Sequence, residues 1–287
     1  MPPTFGYGHS ERVFWFLEDV TAREGVPFPQ LKSELDPLTV QIYGEEIVEL
    51  TGHKHKETAI KTEKLSISNL PQLSISTIAT SVKEKYAGIK HGYIVLEGVS
   101  VEKTNTEVEA LKKEVEENVK GKFKDISELK KSKNIQGFRE LYKSFGADPD
   151  SHLNSSEALL RRVIKGKGLY NVNTVVDTYN ATSMQFEIPM AAYNLAAVDG
   201  NLILRESVEG DSILKIGDEE AERIPTNHLV YADDKRVTCL DYNYRDSDRT
   251  KITNETNRII VYVDGHKDIS ADYIKEVLEV AAFRLEK

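Results

Sequence analysis

The stretch Tyr93-Ile94-Val95-Leu96 is a short apolar run between two glycines, a pattern typical of a buried β-strand. Apolar residues then recur at helical spacing from Val108 to Val119, and Asn105 or Thr106 can cap the start of that helix. This succession of strand and helix continues along the chain. It predicts one compact unit that contains both kinds of element.

Two further amphipathic helices are expected around residues 138–145 and 155–164, with Ser155 capping the second and a lysine-rich linker before the first. The later sequence predicts strands, with Asp233-Asp234-Lys235 as a hairpin turn, at Leu202–Leu204, Ile213–Ile216, His228–Tyr231, Arg236–Tyr244 and Arg258–Val263. A last helix begins after Ser270. The predicted fold class is therefore α/β of the mixed α+β kind, a mixed sheet flanked by helices.

Composition excludes several classes of protein. The 287 residues include a single cysteine, Cys239, so an internal disulfide framework and a cysteine-cluster metal site are both excluded. No apolar run approaches the roughly 18 residues of a membrane span, and no signal core is apparent, so we expect a cytoplasmic protein. Motifs for a phosphate loop, a nucleophile elbow or a zinc protease are absent, and we expect no cofactor and no metal.

The formal net charge of −9 argues against a protein that coats nucleic acid over its whole surface. Two segments of the chain are nevertheless positively charged. Six lysines lie between Lys120 and Lys133, and four cations lie between Arg161 and Lys167. Charge alone favours a solvated helix face, with cations at a helix C-terminus. A local basic surface for nucleic acid is the alternative.

A dense polar segment, Asp241 to Thr250, follows a predicted strand. Its many hydrogen-bonding groups suit a polar ligand, although a solvated loop with internal ion pairs has the same composition. Asn173, Asp177 and Asn180 form a second polar group, because they lie within two turns of one helix.

The order of several short segments carries more information than any one of them. They are Ser156-Glu157-Ala158-Leu159-Leu160-Arg161-Arg162, Asn173-Thr174-Val175-Val176-Asp177-Thr178-Tyr179-Asn180, Pro189, Gly200 with Arg205, Tyr231-Ala232-Asp233-Asp234, and Arg245-Asp246-Ser247-Asp248-Arg249-Thr250. The series resembles the B3/B4 domain, the editing module of the phenylalanyl-tRNA synthetase β subunit, and is most similar to free-standing proteins that consist mainly of that domain. The resemblance covers roughly residues 70 to 265 and divides the chain into an N-terminal extension of unknown role, 1–66, and a B3/B4-like domain, 67–287.

The resemblance implies hydrolysis of the ester between a wrong amino acid, typically tyrosine, and the 3′-terminal ribose of tRNA. Such a site needs donors for the developing oxyanion and a positioned water, and the substrate's ribose hydroxyl can supply much of the base function. The partner would be tRNA or aminoacyl-tRNA. The alternative is a non-catalytic module that holds tRNA or an amino-acid-like molecule, and synthetase activity is not expected because no ATP-binding motif is present.

Several departures change what the resemblance implies. Ala191 stands where the synthetases carry a histidine in the editing site, and the loop that holds their tyrosine-recognising glutamate here reads Tyr244-Arg245-Asp246-Ser247-Asp248-Arg249. Tyrosine specificity is therefore not implied. His228 replaces a residue of the expected Gly-Glu pair, and it is interpreted as the start of a strand rather than as a base.

The candidate site residues follow from the matched segments and the basic segments together. The predicted catalytic residues are Asn180 and Asp246; the predicted substrate-binding residues are Asp177, Arg205, Asn243, Arg245, Asp248 and Thr250; the predicted tRNA-binding residues are Lys120, Lys122, Lys130, Lys131, Arg161, Arg162, Lys165 and Lys167. Asn180 matches the asparagine that ends the family's V-D-x-x-N motif, with a helix-end cap as its alternative role. The sequence predicts neither an oligomeric state nor the amino acid that is recognised.

Overall fold

A computed structural model describes residues 13–18 and 76–285, and for 13–18 it describes the backbone only. The described elements are β1 (Val13–Glu18), β2 (Ser76–Ile78), α1 (Thr80–Lys85), β3 (Lys90–Glu97), α2 (Thr106–Lys122), α3 (Ile126–Leu129), α4 (Lys133–Ser144), α5 (Ser155–Ile164), α6 (Thr174–Phe186), β4 (Met190–Asn194), β5 (Leu202–Glu206), β6 (Ser212–Ile213), β7 (Glu222–Arg223), β8 (Leu229–Ala232), β9 (Val237–Leu240), β10 (Arg245–Asp246), β11 (Arg258–Gly265) and α7 (Ala271–Leu285), with short 3-10 turns at Leu195–Ala197 and Asp248–Thr250. The mixed α/β class is confirmed.

Two sheets organise the described part of the chain. The first has the strand order β1-β3-β11-β4 and is antiparallel throughout. The second has the order β10-β9-β8-β5-β2, and it is mixed because β2 pairs with β5 in parallel. β1 belongs to the predicted N-terminal extension and pairs with β3, so part of the extension adds a strand to the first sheet. The other residues of the extension lie outside the described residues, and the boundary at 66/67 stays a prediction.

Three apolar clusters hold these layers together. The largest lies between the two sheets and the helices α4, α6 and α7, and its fully buried members include Phe138, Tyr193 and Val261. A second cluster joins α2, α5 and α6 around Leu160. A third, around Leu240, fills the space between the second sheet and the small β6–β7 hairpin. The second sheet therefore has apolar packing on both faces.

Most local predictions are confirmed, and the exceptions have simple causes. Asn105 caps α2, with its side chain 2.8 Å from the amide of Val108. Asn154, not Ser155, caps α5, because its side chain accepts the amide hydrogen bond of Glu157. The lysine-rich segment is not wholly a linker, since it contains α3, which Asp125 caps.

The predicted strand over 236–244 is wrong beyond Leu240. Asp241, Tyr242 and Asn243 have φ values of 53°, 47° and 76°, so three successive residues adopt the left-handed conformation. A strand cannot continue through such a backbone, and the chain reverses into β10. Side-chain hydrogen bonds of these residues, which sequence patterns do not reveal, stabilise the turn.

The turn between β8 and β9 is tied to the loop before β5 by two carboxylates. Asp233 accepts the amide of Asp199 at 3.0 Å and forms an ion pair with Arg249. Burial by itself would raise the pKa of Asp233, but the amide hydrogen bond from Asp199 and the contact with Arg249 hold it below its ordinary value. Asp233 and Arg249, from two separate matched segments, thus form one structural contact with Asp199, next to the β8–β9 turn.

Gly200 lies against the second carboxylate of this contact. Its φ is +76°, and a Cβ there would lie 1.8 Å from Oδ2 of Asp234, whose Oδ1 accepts the amide of Asn201. Gly210 offers a matched control, because its φ is +95° and a Cβ at that position would meet no atom within 4 Å.

We predict that Gly200→Ala lowers the free energy of unfolding by about 1–2 kcal/mol more than Gly210→Ala does. Both variants carry the strain of a positive φ, but only the first displaces Asp234 and breaks its hydrogen bond. Urea unfolding of the two variants measures the difference. Equal losses would show that Asp234 moves aside without cost.

Candidate functional site

A row of side chains on the inner face of the second sheet defines the candidate site. Asp246 on β10 pairs with Cys239 on β9, which in turn pairs with Tyr231 on β8. Residues directly opposite in antiparallel strands share a face, so these three side chains project together. Cys239 and Tyr231 belong to the main apolar cluster, so this face is the one turned toward the first sheet and α6.

Asp246 is half-buried as a residue, but its carboxyl oxygen Oδ1 is enclosed and has no hydrogen-bond partner in the described part of the chain. The enclosed hydroxyl of Tyr193 is close to Asp246 and likewise lacks a partner with hydrogen-bond geometry there. Burial raises the pKa of Asp246 to about 6. Its neighbours act in opposite directions, because the Cys239 thiol lowers this pKa and the negative charge of Asp264 raises it. Unpaired polar atoms at this depth are costly unless a ligand or water reaches them.

Helix α6 supplies another wall of the cluster. Tyr179 on this helix is buried, and burial together with the negative charge of Asp246 raises the pKa of its hydroxyl. Asn180 follows directly on the same helix and is half-buried, and its side chain forms no hydrogen bond with another residue that the structure describes. It is not a cap: Asn173 caps α6, accepting from the amide of Val176 at 2.9 Å, and the helix continues to Phe186. The Asn180 amide therefore has no capping role, and its contact with a ligand stays a prediction.

A buried hydrogen-bond network lies behind the cluster, and the sequence analysis does not predict it. Asp264 accepts from the Tyr231 hydroxyl at 2.5 Å and from Nδ2 of Asn243 at 2.9 Å. His91, which pairs with Asp264 across β3 and β11, has Nδ1 2.9 Å from the same hydroxyl. Burial raises the pKa of Asp264 to about 6, while the hydrogen bond from Tyr231 opposes that shift. The sequence signal that could have indicated this network is the presence of Asp264 and His91 within two otherwise apolar strands.

Three predicted substrate-binding residues have partners inside the protein. Asp177 is buried in an ion pair with Nζ of Lys112 at 3.0 Å. Asn243 donates to Asp264, as described above. Arg205 lies on the opposite face of the sheet, and Asp211 engages its guanidinium through two hydrogen bonds of 2.6 and 3.0 Å. Arg205 is thus on the face opposite Asp246, and substrate binding by Asp177 and Asn243 stays a prediction.

The other three predicted substrate-binding residues lie in or near β10. Arg245 is exposed, with its guanidinium over the ring of Tyr244. Asp248 forms an ion pair with Lys251 at 2.7 Å, at the margin of the protein. Thr250 is fully buried, and its hydroxyl is 3.5 Å from the carbonyl of Ser247. Of the six predicted substrate contacts, Arg245 is thus the most accessible.

The predicted tRNA-binding cations divide into two groups. Ion pairs with acidic side chains engage Lys120, Lys122, Lys130 and Arg161. No ion pair among the described residues involves Lys131, Arg162, Lys165 or Lys167. Arg162 lies 3.9 Å from the ring centre of the exposed Tyr170, so this end of α5 presents cations beside an aromatic ring. The predicted cations without an ion pair among the described residues thus lie at that end of α5 and at Lys131, and tRNA binding by any of the eight stays a prediction.

The described residues contain neither a membrane-spanning helix nor a cluster of metal ligands. Within residues 13–18 and 76–285 no helix is both long and apolar enough to cross a membrane. In the same residues no three histidine, cysteine or carboxylate side chains are grouped so that they could hold a metal ion.

We predict that Asp246→Asn changes the pH dependence of stability. In an unfolded chain the aspartate pKa is about 4, so between that pH and about 6 the folded protein retains a proton that the unfolded protein has lost. The free energy of unfolding therefore falls as the pH rises through this range, and an asparagine cannot contribute to the fall. The difference in free energy of unfolding, variant minus unsubstituted protein, should therefore be larger at pH 7 than at pH 4 by on the order of 2 kcal/mol.

Urea unfolding at both pH values measures this effect, with Asp248→Asn as the matched control on a paired carboxylate at the margin. If Asp246→Asn differs from the unsubstituted protein by the same free energy of unfolding at pH 4 and at pH 7, Asp246 has an ordinary pKa.

The chain is similar in sequence to known proteins. The profile of the B3/4 domain family matches residues 137–281. A stretch of 83 residues is 34% identical to the phenylalanine–tRNA ligase beta subunit of Chromobacterium violaceum, covering 29% of this chain and 10% of that subunit. A stretch of 105 residues is 30% identical to the corresponding subunit of Fusobacterium nucleatum, covering 36% of this chain and 13% of that one.

Among solved structures, an N-terminal fragment of the phenylalanyl-tRNA synthetase beta subunit from Pyrococcus horikoshii aligns over 74% of this chain and 48% of its own, with a TM-score of 0.37 and 10% sequence identity. The matched stretch spans only about a tenth of the curated ligase subunits. The family match, by contrast, includes half of this chain, with Asn180, Asp246 and Asp264 inside it and His91 of the buried network outside it. The chain belongs to the B3/4 domain family.

Proposed function

We propose that this protein hydrolyses the ester bond of mischarged aminoacyl-tRNA. The observation that carries the proposal is the enclosed carboxylate of Asp246, which has an unpaired oxygen and lies beside Tyr193 and the helix that bears Asn180. A buried carboxylate without a partner is costly, and an ammonium group is the ligand that offsets the cost best. The α-ammonium of an aminoacyl ester has that charge.

In this proposal Asp246 holds the α-ammonium and Asn180 donates its amide to the carbonyl oxygen. Water adds to the carbonyl carbon while the neighbouring ribose hydroxyl accepts its proton and passes its own proton to the leaving ribose oxygen. The bond between the carbonyl carbon and that oxygen breaks, and the products are the free amino acid and a terminal ribose with both hydroxyls. A donor aimed at the developing oxyanion contributes about 10²–10³ to the rate in other acyl-transfer enzymes. The base is the ribose hydroxyl of the substrate itself, since Ala191 offers no side-chain base at its position.

A second candidate function, binding without catalysis, rests on Ala191. Ala191 is buried on β4, where it pairs with Tyr262 of β11, and its methyl group can neither accept nor donate a proton. A protein that only holds tRNA or an amino-acid-like molecule would have no need of a base there. This binding module would keep the ammonium contact with Asp246 and show no turnover.

We predict that Asn180→Ala reduces ester hydrolysis about 100-fold while tRNA affinity is unchanged, because the amide acts on the transition state. Asp246→Asn should lose both turnover and discrimination for substrates with a free α-ammonium, and turnover by the unsubstituted protein should fall as the pH drops below about 6. The assay is deacylation of a panel of mischarged and correctly charged tRNAs, with Asp272→Asn, at an exposed carboxylate on α7, as the control.

Two outcomes separate the candidate functions. If every ester survives at high protein concentration while tRNA still binds, the protein is a binding module. If hydrolysis occurs but is unchanged in Asn180→Ala, Asn180 has no place in the site.

We also propose that the end of α5 contacts the phosphate backbone of the tRNA. Lys165 and Lys167 are exposed and have no ion pair within the described residues, whereas Lys120 and Lys130 are paired with Glu116 and Asp150. An unpaired cation can exchange its counterions for phosphate without breaking an existing ion pair. The paired lysines contribute less because they must first leave their partners.

We predict that the double variant Lys165→Gln and Lys167→Gln weakens tRNA binding and lowers the slope of log affinity against log salt by about 1 for each phosphate that the protein no longer neutralises. The double variant Lys120→Gln and Lys130→Gln removes the same formal charge and should change the slope less. Filter binding at several salt concentrations compares them. Equal slopes in the two variants would place the RNA elsewhere or make the effect one of net charge.

A further inference from the structure

The loop between α5 and α6, residues 165–173, presents an aromatic side chain to solvent. Tyr170 is 51% exposed, whereas every other phenylalanine and tyrosine among residues 76–285 is buried or half-buried. The guanidinium of Arg162, near the end of α5, lies 3.9 Å from the centre of the Tyr170 ring. Val172, two residues farther along the loop, is also exposed. We refer to the two stacked side chains as the Arg162–Tyr170 pair.

The turn at the end of α5 fixes the position of Arg162. Gly166 has a φ of +74°, and the amide of Lys167 donates to the carbonyl of Arg162 at 3.1 Å, so the helix ends in a compact left-handed turn. Nε of Arg162 donates to the carbonyl of Gly168 at 2.7 Å. The guanidinium is therefore tied to the backbone of the loop and held over the Tyr170 ring.

Contacts with α2 and α6 anchor the rest of the loop. The amide of Leu169 donates to Oε1 of Glu116 at 2.7 Å, and the Leu169 side chain belongs to the second apolar cluster. The amide of Val172 donates to Oδ1 of the buried Asp177 at 3.0 Å. The exposed ring is thus carried by backbone that is already ordered, so a ligand that binds there pays little conformational entropy.

The charge around the ring is positive. Lys165 and Lys167 are exposed, and like Arg162 they form no ion pair among the described residues. The carboxylates of Glu116 and Asp177, which accept amide hydrogen bonds from the loop, are each paired with a lysine of α2. A polyanion at this loop would therefore meet cations that do not have to leave a partner first.

We propose that the Arg162–Tyr170 pair stacks an unpaired base of RNA. This inference rests on the proposed function, because it takes tRNA as the ligand and the end of α5 as its phosphate contact. Aromatic rings and guanidinium planes stack single-stranded bases irrespective of sequence, and bases inside a stem offer no open face. An acidic protein surface would suit the lysines, but a carboxylate is not attracted to the negative face of a tyrosine ring.

The test compares a fluorescently labelled oligoadenylate with the same strand paired to oligouridylate. The duplex carries twice as many phosphates, so charge alone favours it, and the unsubstituted protein should nevertheless bind the single strand more tightly. Tyr170→Leu removes the ring and no charge. It should weaken binding of the single strand about tenfold, with the duplex affinity and the salt dependence unchanged. Tyr170→Phe keeps the ring face and should bind both RNAs as the unsubstituted protein does.

Matched variants identify the cause of any loss. Val172→Ala shortens the exposed apolar neighbour and should bind both RNAs normally. Lys165→Gln with Lys167→Gln should weaken both RNAs and lower the salt dependence of each. Thermal melting checks that every variant is folded. Arg162→Lys, which keeps the charge but lacks the planar guanidinium, should also weaken only the single strand, and it keeps the test valid if Tyr170→Leu unfolds.

Two results overturn the inference. One is the absence of a preference for the single strand, or a preference that survives in both Tyr170→Leu and Arg162→Lys. The other is binding of a labelled polyglutamate peptide that depends on the Tyr170 ring as strongly as RNA binding does, because the loop would then be a site for an acidic protein.

The measurement also separates this inference from ester hydrolysis. Because the oligonucleotides carry no amino acid, stacking is measured without turnover. A protein that prefers the single strand through Tyr170 but cleaves no ester would retain the base contact and lose the proposed hydrolysis. Hydrolysis of mischarged tRNA without that preference would retain the proposed function and remove the base contact.

Discussion

The buried carboxylate of Asp264 is the contact on which the arrangement of the site depends. It joins β11 of the first sheet to Tyr231 of the second and to Asn243 of the left-handed turn. Hydrogen bonds offset part of the cost of enclosing this charge, and an asparagine in a left-handed conformation is better tolerated than most side chains. The turn sets the point at which β10 starts, and β10 places Asp246 opposite Cys239. A change at Asp264 would therefore act on the position of Asp246 through the backbone.

Two buried carboxylates close together give the site an unusual electrostatic character. Burial raises the pKa of both, and the negative charge of Asp264 raises the pKa of Asp246 further. Asp264 has hydrogen-bond donors that stabilise its charge, whereas Oδ1 of Asp246 lacks one among the described residues. Such an imbalance is tolerated when the unpaired group has a use, and it is the reason to place the ligand at Asp246 rather than at Asp264.

The sequence predicted elements well where periodicity or capping chemistry was strong. The strand around Val95, the helix capped by Asn105 and the hairpin turn at Asp233 all have local signals, and all are present. Long-range partners had no local signal. Asp177 and Arg205 belong to the matched segments and were assigned to substrate, but Lys112 and Asp211 engage them, and neither pairing can be deduced from spacing within a motif. The left-handed turn was missed because its stabilising contacts come from β11 and α4.

Much of the matched series therefore encodes the scaffold, and fewer residues are available for ligand contacts. Cys239, the single cysteine of the chain, is part of this enclosed region. Burial raises the pKa of its thiol well above the ordinary value, so in the closed structure it is a poor nucleophile and is shielded from reagents. Alkylation of this thiol can proceed only when the second sheet separates from its surroundings. The rate of thiol labelling thus measures how often the interior of the site opens, without any probe having to be introduced.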